Sequence, residues 1–156
     1  MKIIVNIDDS VIRASAKLVE DHCMDKKFMQ SIADVKKFNH TSLSPVEVAQ
    51  ALYVHSYKTE IIIEGYKSSL PWSKSLGHAK GNTIFINTRK LEALDLYERC
   101  GNIYHEFCHL AGFSHDGNRV TPYNLGTVPY KAGQLFEDYI KEIMNQKIAN
   151  VGSLKS

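Results

Sequence analysis

Alternation opens the chain: Ile3, Val5 and Ile7 share one side of an extended backbone and predict a strand over residues 2–8. Asp9 and Ser10 can cap the helix that follows, in which Ile12, Ala16 and Val19 are spaced for one buried face. Residues 25–41 are polar without a clear period, and no element is assigned to them. Ser44-Pro45-Val46-Glu47 has the features of a helix start. Serine caps, proline takes the first helical position where its missing N–H costs nothing, and Glu47 reaches back to close a capping box. That helix is expected to run to about Ser56. The β-branched run Thr59–Glu64, ended by Gly65, predicts a second strand.

Serines, Pro71 and two glycines gather over residues 67–81, which predicts a long loop of the kind that is usually functional or mobile. Asn82–Asn87 predicts another strand. A helical period then covers about 89–111, with an interruption expected at Gly101, and residues 112–129 read as a connection rich in glycine and proline. The last helix is expected over 129–148, where Ala132, Leu135, Phe136, Tyr139, Ile140 and Ile143 recur at intervals of three and four. The fold class is therefore α+β: one domain over residues 1–150, a mixed β-sheet packed on helices, and a flexible tail at 151–156.

Composition narrows the class of function. With 156 residues the chain can bury one core without disulfide staples, and its 44% apolar content excludes disorder as the main state. No run approaches the roughly 18 apolar residues of a membrane span, and the start lacks the apolar stretch and cleavage site of an export signal. Nineteen basic against 17 acidic residues leave a net charge of +2 and no basic stripe, so neither nucleic acid nor a membrane is expected as an obligatory partner. Lys26, Lys27, Lys36 and Lys37 read as a solvated helix face. Cys23, Cys100 and Cys108 form no C-x-x-C pair, which fits a reducing compartment, and a cytoplasmic monomer is expected.

The chemistry concentrates in His105-Glu106-Phe107-Cys108-His109-Leu110-Ala111-Gly112-Phe113-Ser114-His115-Asp116. His105 and His109 are four apart, so on a helix they leave one face a turn apart, while Ile103, Phe107 and Leu110 can pack on the core. Two imidazoles at that separation can hold one Zn²⁺. Glu106 can reach water at the metal without being a ligand itself. Gly112 lets the helix stop and turn in a left-handed conformation, so that His115 can swing back as a third ligand and leave a fourth position open. At this chain's own His, Glu and Gly frequencies, the five positions would coincide by chance about once in 20,000 such chains, which makes the extended motif a strong signal.

Over these residues the chain resembles the metzincin clan of zinc metallopeptidases. The resemblance implies a zincin-like domain with an active-site helix and a C-terminal helix, and one Zn²⁺ held by His105, His109 and His115. It also implies Glu106 as general base, Gly112 as the turn, and a peptide or protein as substrate. In some metzincins a tyrosine just after a methionine turn approaches the metal. Tyr130 stands in a comparable place, so it either hydrogen-bonds the oxyanion as a catalytic residue or starts the last helix as a buried tyrosine. No methionine occurs between Asp116 and Glu142, and Gly126-Thr127-Val128-Pro129-Tyr130 is expected where that turn would lie. Met144 is expected in the core.

Asp116 is expected to brace the loop or a ligand's second nitrogen, and Cys108 to pack. His78 either meets substrate or is solvated. The strand over 82–87 is expected to pair with an extended substrate. Two other functions share the spacing. Small endoribonucleases of ribosomal RNA maturation carry three histidines at i, i+4 and i+10, though typically without Glu after the first. A metal-stabilised module that binds a protein without cutting it is the other.

Overall fold

Short apolar strands and capped helices follow one another as β1 (Lys2–Val5), α1 (Ser10–His22), α2 (Lys26–Ala33), α3 (Pro45–Lys58), β2 (Glu60–Tyr66), β3 (Gly77–Lys80), β4 (Thr83–Asn87), α4 (Thr88–Leu91), α5 (Leu96–Leu110), α6 (Pro122–Leu125) and α7 (Val128–Ser153). The computed structural model describes residues 1–68, 75–117 and 120–153. The four strands make one mixed sheet in the order β1-β2-β4-β3. β1, β2 and β4 run parallel, and β3 is antiparallel to β4, with Gly77 opposite Ile86 and Lys80 opposite Thr83. The α+β class expected from the element pattern is the one observed.

Period-two burial sets the sheet's inner face. Ile61, Ile63, Ile84 and Ile86 are fully buried, and Ile62 and Phe85 between them are half-exposed. α1 and α5 pack against the sheet, and α7 packs along α5. Phe28, Tyr104 and Phe136 close the core with ring centroids 4.8–5.0 Å apart. Edge-to-face and offset ring pairs of this kind add to the burial of their area. Tyr104 and Phe107 are thus drawn inward, and the opposite face of α5 is left for its histidines.

Several expectations change. α2 lies inside the stretch given no element; its Phe28 and Ile32, four apart, are fully buried beneath exposed Lys26 and Lys27. The break expected at Gly101 falls instead before Leu96, where Asp95 accepts from the Tyr97 and Glu98 amides and Glu98 returns the bond. That capping box starts a new helix, which runs on through Gly101. A Cβ on Gly101 would stand 2.9 Å from the Gly133 carbonyl oxygen, and one on Gly133 would stand 2.8 Å from that of Gly101. Gly101 therefore marks a close crossing of α5 and α7.

Of the loop expected over 67–81, residues 69–74 lie outside the described residues, and 77–80 form β3. β4 has neighbours on both sides, so it cannot accept a further strand as expected; the edge on that side is β3. α7 continues through Ser153, which places residues 151–153 of the expected tail in a helix, and 154–156 lie outside the described residues. Among the described residues no helix is long and apolar enough to cross a membrane.

Candidate metal centre

α5 presents His105 and His109 from one face, and the chain bends at its end. Phe113 N–H bonds the Cys108 carbonyl and Gly112 N–H that of His109, each at 3.0 Å, the pattern of a Schellman stop. Gly112 has φ +92°, a conformation that costs a residue with a Cβ on the order of 1–2 kcal/mol. His115 returns over the helix end as a result. The three Nε2 atoms converge at 3.2, 3.2 and 3.3 Å from one another.

The second ring nitrogens decide what that convergence means. His109 Nδ1 lies 2.8 Å from the Phe113 carbonyl oxygen and His115 Nδ1 2.8 Å from that of Gly117, while the Pro129 backbone acts on His105 to oppose the fall in its pKa. A carbonyl only accepts, so the Nδ1 atoms of His109 and His115 carry protons, which leaves Nε2 as the nitrogen free to offer a lone pair. Burial, reinforced by the two neighbouring imidazoles, pushes His105 down to about 3, and burial also lowers His109. Nε2 lone pairs brought face to face cannot satisfy one another. A cation at their centre would. Nitrogens held at about 2.0–2.1 Å with tetrahedral angles sit about 3.3–3.4 Å apart, in agreement with the observed separations. The donor set therefore fits a divalent metal ion, and these three residues form a group able to hold one.

Glu106 lies beside this cluster, 5% exposed, with Oε2 buried and without a hydrogen-bond partner. Burial pushes its carboxyl up to about 7. It faces the first residue of β3: a Cβ on Gly77 would stand 3.3 Å from Glu106 Oε1 and 2.8 Å from the Phe85 carbonyl oxygen. Tyr130 closes the other side, its ring centroid 4.6 Å from that of His105 and 4.8 Å from that of His115. Burial, then the Glu106 charge, raises its phenol. The histidines, Glu106, Tyr130 and the β3 residues Gly77, His78 and Ala79 line one cleft of about 690 Å³.

The histidines, Glu106 and Tyr130 singled out in the sequence thus meet in one place, and the expectation for Asp116 changes. His78 lines the cleft, stacked on Phe85 at 4.9 Å and edge-on to Tyr66. The Asp116 carboxylate braces no ligand; it is 72% exposed and 3.7 Å from His40 Nδ1, while the Gly117 carbonyl orients His115. Cys108 is buried in the core and its thiol is raised by that burial. In the place that the resemblance gives to a methionine turn, Pro129 and the Tyr130 ring lie against His105, and Met144 packs against the core.

Sequence reasoning missed Asn124, whose side chain holds the backbone on both sides of Asp116. Thr121-Pro122 does signal the short helix that carries it, since Thr121 caps and Pro122 takes the first position. Nothing local signals its reach of eight residues. Comparison of the chain with protein-family models, with curated proteins and with solved structures finds no match.

Proposed function

We propose that the protein is a zinc-dependent metallopeptidase of metzincin type. The observation that carries the reading is the juxtaposition of three inward lone pairs with a buried, unpartnered carboxylate in an open cleft. Zinc bound there would supply Lewis acidity, polarising a carbonyl and making water acidic enough to attack near neutral pH. Glu106 accepts a proton from the water as its oxygen bonds the carbonyl carbon. It then delivers that proton to the amine nitrogen as the C–N bond breaks. Burial raises this carboxyl, and a dication held beside it would lower it again and favour the base form. Tyr130 donates its phenol hydrogen to the developing oxyanion.

Substrate binds as an extended segment along β3, whose Gly77, His78 and Ala79 border the cleft, so that backbone bonds position it and the adjoining pocket selects side chains. The ribonuclease alternative is weakened by the cleft itself. Among the described residues that line it there is no lysine or arginine, and phosphate backbones are bound chiefly through such charges.

A peptide-library digest read by mass spectrometry, with wild type beside Glu106→Gln, tests the proposal. Wild type loaded with zinc should cut, and the variant should retain zinc yet lose about 10²–10⁴-fold in rate. Equal cleavage by both would remove Glu106 as the base. No cleavage by wild type, with zinc bound, would favour a binding module, and cleavage of structured RNA instead of peptide would favour the nuclease.

A further inference from the structure

His115 stands apart from its partners in how it is held. His105 and His109 project from α5, whereas His115 lies beyond the helix stop in a segment with neither helix nor strand. Its ring rests on the Gly117 carbonyl, two residues on, which fixes the tautomer but moves with the same loop. What ties that loop to the rest of the fold is Asn124, 2% exposed on α6. Its Oδ1 accepts from the Asp116 N–H at 3.2 Å, and its Nδ2 donates to the Asp116 carbonyl at 2.6 Å. A side-chain amide presents the same donor and acceptor pair as a peptide, so it grips the residue after the ligand as a neighbouring strand would.

Asn124 is itself anchored. Its N–H donates to Thr121 Oγ1 at 3.1 Å, and its carbonyl accepts from Thr127 Oγ1 at 2.6 Å and from the Thr127 N–H at 2.9 Å. Asn39 strengthens the same turn from outside, donating from Nδ2 to the Tyr123 carbonyl and from its backbone N–H to that of Gly126, both at 2.8 Å. Two residues beyond Thr127, Pro129 reaches His105, so the segment that anchors the clamp also borders the first imidazole.

We propose that Asn124 is a positioning residue of the metal centre: its two-point clamp on Asp116 aligns His115 for coordination. The inference rests on the three-histidine metal site, and it assigns the alignment of the third ligand to a side chain that touches neither metal nor substrate. An outer partner of this kind typically affects metal affinity by about 10–100-fold.

The test titrates Co²⁺, a coloured substitute for zinc, into metal-free wild type, Asn124→Ala, Asn124→Gln and Ser56→Ala. Ser56 bonds the Leu52 carbonyl within α3, so its variant loses a buried hydrogen bond remote from the site. Asn124→Gln keeps the amide but shifts it by one methylene, and it serves if the alanine variant fails to fold. The clamp predicts Co²⁺ affinity weakened about 10–100-fold in both Asn124 variants, with a weaker visible band as an imidazole is exchanged for water. Ser56→Ala should melt earlier yet bind as wild type does.

Amide hydrogen exchange of Asp116, followed without metal, should quicken at least about tenfold when Asn124 is replaced, because its N–H loses the acceptor. Asn124 variants that bind Co²⁺ within twofold of wild type, with an unchanged spectrum, overturn the clamp while leaving the metal site standing. Wild type that takes up no Co²⁺ removes the metal site, and the clamp falls with it.

Discussion

At the scale of single residues, chemistry here is a matter of which atom is left without a partner. The carbonyls of Phe113 and Gly117 each accept from one ring Nδ1, and the Nε2 atoms of all three histidines turn toward one another. The bare Cα of Gly77 makes room for the Glu106 carboxylate, and Tyr130 stands beside His105, where the proposed mechanism has its phenol meet a developing oxyanion. Tyr130→Phe should therefore lower kcat roughly 10²-fold with little change in KM, as expected for a donor that acts mainly in the transition state; steady-state kinetics on a cleaved peptide decide it.

His55 makes a different prediction, remote from the cleft. Burial holds its pKa below 6.5, and its Nε2 is buried without a partner beside Phe107. The folded state thus binds this proton less readily than the unfolded chain. The stability His55 confers is complete above about 6.5 and is lost as pH falls through the lower folded value. Urea denaturation at pH 8 and pH 5 should show a smaller acid loss in His55→Leu than in wild type; equal losses would place the pH dependence elsewhere.

At the scale of elements, α5 and α7 are the pair on which the site depends. Their close approach at Gly101 and Gly133 lets α7 lie directly behind the first ligand: a Cβ on Gly133 would stand 3.2 Å from that of His105 as well as 2.8 Å from a backbone oxygen. Backbone cannot swing aside as a side chain can. Gly133→Ala should accordingly destabilise the fold by about 1–3 kcal/mol and weaken metal binding, measured by thermal melting and chelator competition. Legibility differed sharply between elements. α3 and the end of α5 were readable because a cap, a proline or a glycine acts on its own next few residues. β3 was not, because Gly77-His78-Ala79-Lys80 has no β-branched residue, and only pairing with β4 makes it a strand. α2 escaped because two buried residues in eight are too short a period to stand out from a lysine-rich surround.

At the scale of the whole molecule, the proposed metal acts as a tie between the end of α5 and the loop that follows it. An ion that binds only the folded chain adds about 4 kcal/mol when free metal exceeds Kd a thousandfold. For a chain of this length that corresponds to a shift on the order of 10 °C. Removing zinc with a chelator should lower the wild-type melting temperature by that order, and a His115→Ala variant should show little of the shift. Identical melting of wild type with and without zinc would separate the fold from the ion.

The amino-acid sequence by itself determined the three histidines, the neighbouring carboxylate and the bend between them, since a helix repeat and a glycine stop act over only a few residues. It also determined the α+β class, through periods of two and of three to four. Tertiary structure alone decided which nitrogen of each ring points inward, which strand forms the sheet's edge, and that Asn124 grips Asp116. Each of those depends on a hydrogen bond to a backbone group, two residues on for His115 and in the preceding loop for Asn124, and such a bond leaves no periodic trace in the residues that make it.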